Sequence, residues 1–231
     1  MSEFNQNKKE LINKGYSVTE PIFGDEECLQ LISLIESSQK RYAIRQLVNK
    51  VPKIEEVVFQ NEKFKKLYTS ICSTDYFLSK AIFFNKIGKF NWFVSHHQDL
   101  SISVKKNVAI DGYSNWTNKS GQLGVIPPQE ILEKVITFRI HLDKTDELNG
   151  ALRVILGSHK KGIIRIDENF KKENIGKEEL CAVKRGGVML MKPLILHASS
   201  KSLTNQDRRV IHLEFCNQEI PMEWLERKDI I

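Results

Sequence analysis

The run Ser95-His96-His97-Gln98-Asp99 puts two imidazoles and a carboxylate side by side. A metal site, a proton shuttle and a polar loop can all be written this way. Strand alternation separates the two histidines. In an extended chain residues i and i+2 project from one face, so His97 and Asp99 present a nitrogen and an oxygen together, while His96 and Gln98 turn the other way. These are two of the donors of a 2-His-1-carboxylate facial triad, which leaves positions open on a non-haem Fe(II). An H-x-D alone is a weak signal and needs context.

That context lies far downstream, in "MKPLILHASSKSLTNQDRRVIHLEF". His197 ends an apolar run, and a strand end that opens into a cavity is where a third ligand can converge on the first two. Eleven positions on (208 − 197), Arg208 opens the next apolar-alternating stretch. Arg208, Val210 and His212 share one of its faces; Arg209, Ile211 and Leu213 share the other. An inward arginine offers a planar two-donor fork for a carboxylate, and Ser199 adds a hydroxyl donor.

Donors so widely spaced in sequence require a frame that brings them together. "GYSVTEPIF" reads as a strand, and "GDEECLQLISLIESSQK" as a helix with Asp25 as N-cap and Leu31, Ile32, Leu34 and Ile35 as its apolar stripe. Val51–Ser73 reads as a broken pair of helices. From Tyr76 onward short apolar or alternating runs follow, separated by turn signals: "YFLSKAIFFNKI", "KVITFRIHLD", "GALRVILGS", "GIIRIDE", "CAVKRGGVMLMKP", "LILHASS" and "RRVIHLEF". Many short strands after N-terminal helices predict a β-sandwich or jelly roll with helices packed outside. The stretch 101–128 is rich in Gly, Asn and Ser, has little periodicity, and reads as a long functional loop of the lid kind.

The 231 residues, 41% hydrophobic and 28% charged, suit one globular domain over 1–231, with a mostly helical part at 1–75 and a β core at 76–216. No apolar run approaches a membrane span, and the N-terminus lacks a secretory layout, so a cytoplasmic protein is expected. Cys28, Cys72, Cys181 and Cys216 are far apart and read as free thiols. The charge of +6 is a mild lysine excess without long basic runs, which argues against nucleic acid as the partner. Oligomeric state is not legible.

Taken with their surroundings, these residues resemble the phytanoyl-CoA dioxygenase-like (PhyH) family of Fe(II)/2-oxoglutarate-dependent oxygenases. The resemblance rests on "HQD" at His97–Asp99, "RIHLDKTDELNGALRVILGSHKKG" at Arg139–Gly162 and "LHASS…RR" from Leu196 to Arg209, with weaker matches at Asn85-Lys86 and Arg45–Leu47. Ser95-His96 departs from the family's proline-tryptophan, and Leu156 stands where a proline is usual before "GSH". Neither departure touches a candidate ligand.

The resemblance implies a mainly β fold with flanking α-helices, a double-stranded β-helix (jelly roll, cupin-like). It implies iron on His97, Asp99 and His197, and the distal carboxylate of 2-oxoglutarate on Arg208, with Ser199 and Thr137 as further cosubstrate contacts. Thr137, Arg139 and His141 alternate onto one face, so Arg139 is a candidate for cosubstrate or substrate contact, or a structural arginine paired with Asp143 or Glu147. Arg45, Gln98, His96 and Trp116 are candidates for shaping the substrate pocket or supporting the ligands; Trp92 and Trp116 serve equally well as packing. His159 reads as a turn residue. Intact ligands point to an O2-consuming hydroxylase with release of succinate and CO2, and Arg45 and Arg139 suggest a small anionic or zwitterionic acid as its substrate. The alternatives are the same chemistry on a protein or nucleic-acid side chain, and a non-catalytic jelly-roll binding protein.

Overall fold

The computed structural model describes residues 3–37, 42–87, 91–119, 121–167 and 170–230. Its helices are α1 (Asn5–Lys14), α2 (Asp25–Glu36), α3 (Leu47–Lys50), α4 (Ile54–Phe59), α5 (Glu62–Ile71) and α6 (Gln129–Lys134). The strands run β1 (Tyr16–Val18), β2 (Ala43–Arg45), β3 (Phe77–Asn85), β4 (Val94–His97), β5 (Ile102–Val104), β6 (Ser114–Lys119) and β7 (Gln122–Ile126). They continue as β8 (Ile136–His141), β9 (Leu152–Ile155), β10 (Glu178–Cys181), β11 (Val188–Met191), β12 (His197–Ser199) and β13 (Arg209–Cys216).

A major sheet has the order β1-β11-β8-β13-β3-β2, and a minor sheet the order β10-β9-β12-β4. A third, β5-β7-β6, stands beside them. This is the mainly β fold with flanking helices of the double-stranded β-helix.

The period of two on β8 explains how the layers meet. Ile136, Phe138 and Ile140 point to the helices, while Thr137, Arg139 and His141 point inward. Helix α5, capped where the Asn61 side chain accepts from the Phe64 amide at 2.8 Å, buries Phe64, Leu67, Tyr68 and Ile71 at helical spacing. Phe138 has ring centroids 5.8 Å from Phe64 and 5.1 Å from Phe215. Truncating so enclosed a ring costs about 3–5 kcal/mol. Between the two larger sheets a smaller cluster, including Val154, Ile195, Met189 and Met191, seals one end of the interior. The other end is left to polar side chains.

Several sequence expectations shift here. Asp25 is the first helical residue rather than the cap of α2. Gly24 holds the cap position, and its amide donates to Glu27 at 2.8 Å. That helix ends at Glu36, and residues 38–40 of the expected span lie outside the described ones. Of "GYSVTEPIF" only Tyr16–Val18 is strand. "GIIRIDE" forms no strand over its described residues; the Gly162 carbonyl and the Ile164 amide bond instead to the Gln98 side chain. His197 begins β12 rather than ending a strand.

The 101–128 stretch is not an irregular loop: it holds the β5-β7-β6 sheet and ends at Pro128, the N-cap of α6, with residue 120 outside the described residues. Ile102, Val104 and Val125 bury one face against Leu132 and Trp224. Its alternation is confined to short strands of three to six residues, which hid it in the sequence.

Candidate metal and anion site

His97 and His197 are direct register partners across the antiparallel pair β4 and β12. Each imidazole is fixed by the carbonyl two residues back: His97 Nδ1 lies 2.9 Å from Ser95 O, and His197 Nδ1 lies 2.9 Å from Ile195 O. A carbonyl can only accept, so Nδ1 carries the proton and Nε2 keeps its lone pair. Asp99 lies just beyond the end of β4, its amide donating to Pro193 O at 3.0 Å. Its carboxylate oxygens stand 3.7 Å from His97 Nε2 and 3.8 Å from His197 Nε2. The three donor atoms lie within 4.8 Å of one another.

Electrostatics keep these donors in their ligating forms. Burial pushes the Asp99 carboxyl up, but His197, His212, His97 and Lys80 together outweigh it and hold the group below the usual carboxylate range. Burial pulls His197 down to about 4, against the attraction of Asp99, so the imidazole is neutral at neutral pH.

The cluster opens into a cavity of about 550 Å³. Its floor is the inward face of β3, β13 and β8, and its inner end is cationic. Arg208 is buried; its Nη1 donates to Gly150 O, its amide to Asn85 Oδ1 at 3.2 Å, and its Nε has no partner among the described residues. Gly150 can present that carbonyl because it sits at φ +78° with Ser200 O only 2.6 Å from where a Cβ would stand. Lys86 is fully buried, with Nζ 3.0 Å from Ser199 Oγ and 2.8 Å from Ser200 O. Arg139 is buried, and its Nε is also unpartnered.

Burial lowers all three cations; repulsion by neighbouring arginines adds to it for Lys86 and Arg208, while Asp99 opposes it for Arg139. Lys86 falls to about 7 under burial, Arg208 and Arg139; Arg208 falls to about 9 under burial and Arg139 and so stays charged at neutral pH. None of the three has an ion pair among the described residues, which is costly for buried charge and marks a place for an anion.

The other expected residues divide. Arg45, on edge strand β2, lines the cavity and has no hydrogen-bond or ion-pair partner among the described residues; Trp92 lines it too, with the Lys86 ammonium 5.5 Å from its ring centre. Ser199 meets the cavity beside His197. Thr137 does not line it: it is fully buried one register row from Arg139, opposite Glu214 and Met191, with its hydroxyl unpartnered. Trp116 is half-buried and packs on the cluster beneath the third sheet, while its neighbour Thr117 faces the cavity.

His96 turns away and pairs with Glu178 at 2.7 Å, beside Arg153 and Lys172. Gln98 is a clamp: Nε2 donates to Gly162 O at 2.9 Å and Leu194 O at 2.6 Å, and Oε1 accepts from Ile164 N at 2.8 Å. Arg139 does not pair with Asp143 or Glu147. Arg209 takes Asp143 through two 2.9 Å contacts.

Sequence reasoning passed over Lys80 and Glu214, and took His212 no further than its face. Lys80 Nζ is 2.9 Å from the Glu214 carboxylate, Glu214 Oε1 is 3.0 Å from His212 Nε2, and His212 Nδ1 is 2.9 Å from Arg139 Nη1. The signal was present: His212-Leu213-Glu214 repeats the i, i+2 pairing of His97 and Asp99 on another strand.

A cupin-like double-stranded β-helix whose smaller sheet gathers His, Asp and His, and whose larger sheet points arginines inward, has the architecture of the 2-oxoglutarate oxygenases. The family model described as phytanoyl-CoA dioxygenase (PhyH) matches residues 13–210, and the chain belongs to that family. Comparison with curated proteins gives no match.

Solved structures of similar fold include the epimerase SnoN in complex with Fe3+, alpha ketoglutarate and nogalamycin RO, with a TM-score of 0.71, 9% identity, 97% of this chain and 94% of that one covered. HygX from Streptomyces hygroscopicus with nickel and 2-oxoglutarate bound has a TM-score of 0.67 and 15% identity, over 94% of this chain and 88% of that one. The carbocyclase SnoK from nogalamycin biosynthesis has a TM-score of 0.66 and 12% identity, over 93% and 84%.

Iron, 2-oxoglutarate and O2 are the cofactors of the family. The residues present fit them: two imidazoles with free Nε2 and one ionised carboxylate for a metal, and unpartnered guanidinium N–H groups for a dicarboxylate. No helix among the described residues is long and apolar enough to cross a membrane.

Proposed function

We propose that this protein is an Fe(II)/2-oxoglutarate-dependent dioxygenase that hydroxylates a small anionic or zwitterionic acid. One observation carries the reading: the His-Asp-His cluster and the guanidiniums of Arg139 and Arg208 line one cavity, with Lys86 buried against Ser199 of its wall. His97, Asp99 and His197 would hold the metal. Arg208, with Ser199 beside it, would hold the distal carboxylate of the cosubstrate. When bound, iron and 2-oxoglutarate would supply O2 activation, with succinate and CO2 as co-products and one oxygen atom left for the substrate.

The protein's own part is to bind, orient and exclude water. Ile82, Phe84, Val94, Leu100 and Leu123 give the outer cavity apolar walls suited to a carbon skeleton. Arg45 sits among them, without a counter-charge among the described residues, and would receive an acidic group of the substrate. The residue after it, Gln46, takes a left-handed conformation at φ 54°, a strain of about 1–2 kcal/mol found where the surroundings fix a side chain in place. Thr117, Lys119 and Gln122 of the third sheet face the cavity as well, and this sheet is the candidate lid.

The test is anaerobic titration of Fe(II)-loaded protein with 2-oxoglutarate, followed by succinate release in air against a panel of small carboxylic and amino acids. Substrate-dependent succinate with a product one oxygen heavier is the expected result. Cosubstrate binding with desaturated, epimerised or cyclised products would keep the cofactors and overturn hydroxylation. Absence of metal-dependent 2-oxoglutarate binding would overturn the whole reading.

A further inference from the structure

A buried hydrogen-bonded chain crosses the cavity floor from the metal-ligand loop to Arg139. Lys80 Nζ donates to Ser101 O at 2.6 Å, two residues past Asp99, and pairs with Glu214 at 2.9 Å. Glu214 Oε1 lies 3.0 Å from His212 Nε2, and His212 Nδ1 lies 2.9 Å from Arg139 Nη1. All four side chains are buried, and all four line the cavity.

Donor–acceptor logic fixes the direction of the chain. A guanidinium has no acceptor, so Arg139 donates and His212 Nδ1 must carry the lone pair. The proton is then on Nε2, where it donates to the Glu214 carboxylate. Lys80 neutralises that carboxylate and keeps it in register. Arg139 therefore has one N–H engaged by a fixed imidazole, and its Nε has no partner among the described residues.

The placement of Arg139 gives this arrangement a use. It lines the same cavity as Asp99 and His197 of the candidate metal cluster and as Arg208. A dicarboxylate stretched from the metal to Arg208 would pass beside it. An arginine swinging freely there would lose most of its value, because a fork binds a carboxylate well only when its plane is held.

We propose that His212 is a positioning residue: braced by Glu214 and Lys80, it holds the Arg139 guanidinium against the 2-oxoglutarate lying between the metal and Arg208. This rests on the cofactor reading above. Because Lys80 also holds the Ser101 carbonyl, the same brace sets the distance from Arg139 to the loop that carries Asp99.

The test uses Mn(II)-loaded full-length protein and calorimetric titration with 2-oxoglutarate, with metal affinity and melting temperature measured in parallel. His212→Leu is expected to weaken 2-oxoglutarate binding about tenfold, equivalent to ~1.4 kcal/mol, with Mn(II) affinity unchanged. Arg139→Met should weaken it at least as much, and the double variant no more than Arg139→Met alone, since His212 acts through that guanidinium. Losses that multiply in the double variant, or a His212→Leu protein that binds 2-oxoglutarate like wild type, would overturn the proposal.

If His212→Leu does not fold, the shape-conserving Glu214→Gln carries the test. About threefold weaker binding is expected from partial loss of a charge-assisted bond, and unchanged binding overturns the brace. Wild-type protein that fails to bind 2-oxoglutarate would overturn the cofactor reading itself. Wild-type binding with indifferent variants overturns the brace alone.

Discussion

His97 and His197 face each other across one strand pair, their ring centroids 4.2 Å apart, each with Nδ1 committed to its own backbone. Two residues remote in sequence are thus delivered as a matched pair of lone pairs by the register of a sheet. The proposed metal ligation is a consequence of strand pairing as much as of residue type.

That arrangement predicts a separation of function from stability. Asp99 and His97 are partly exposed, with side-chain exposures of 28% and 40%, and neither carries the core. Asp99→Ala and His97→Ala should each weaken Fe(II) or Mn(II) binding by more than the 10- to 100-fold, in order-of-magnitude terms, that loss of a supporting residue costs. The same variants should change unfolding free energy by less than about 1 kcal/mol. Metal titration beside denaturant melts checks both, and near-wild-type metal affinity in either variant would remove the triad.

Lys86 is expected to make 2-oxoglutarate binding proton-linked. Burial, with Arg208 and Arg139, brings its folded value to about 7, well below the ordinary lysine range. A dianion bound beside this cluster restores the proton, so 2-oxoglutarate affinity should be greatest below pH 7 and fall as pH climbs above it. Calorimetry at pH 8 in buffers of different ionisation enthalpy should report proton uptake that vanishes in Lys86→Met. The unliganded protein shows the converse. Its unfolded chain holds the lysine proton where the folded chain has lost it, so stability rises with pH across the interval between the two values. Buffer-independent binding heats would contradict this.

Glu226 gives a second pH signature, away from the cavity. It is buried, Oε2 accepts the Ala81 amide at 3.2 Å, and Oε1 has no partner among the described residues. Burial raises it to about 7 despite Ala81 and Lys80. The folded state therefore binds the extra proton between the ordinary glutamate value and about 7, and stability is lost as pH rises through that window. Glu226→Gln should remove the loss, stabilising the protein at pH 8 by on the order of 2 kcal/mol and leaving it nearly unchanged at pH 5. Thermal melts at the two pH values decide it; equal shifts at both would show that the carboxylate is not the cause.

The frame was largely legible in the sequence. Strand alternation in "VITFRIHLD" and "RRVIHLEF" placed Arg139 and Arg208 inward and Arg209 on the other face, as found. His96 separated from His97 for the same reason. What escaped was decided by tertiary contact. Thr137 shares a face with Arg139, but a face runs the length of a strand and the cavity covers only part of it. Trp116 packs inward because the 101–128 stretch folds as a sheet, which strands of three to six residues could not announce. Lys80 and Glu214 are opposite in register on β3 and β13, and that pairing is set by the sheet order rather than by anything local.

Gln98, between two candidate ligands, binds neither of them; its amide reaches Gly162, Ile164 and Leu194 instead. The ligand loop is thereby hung from a wall made by other parts of the chain. Residues 162–164 line no part of the cavity, yet through Gln98 they hold the turn between His97 and Asp99. Substitutions there would shift two candidate ligands they never touch, so distance from the site is a poor guide to which surface positions this protein can vary freely.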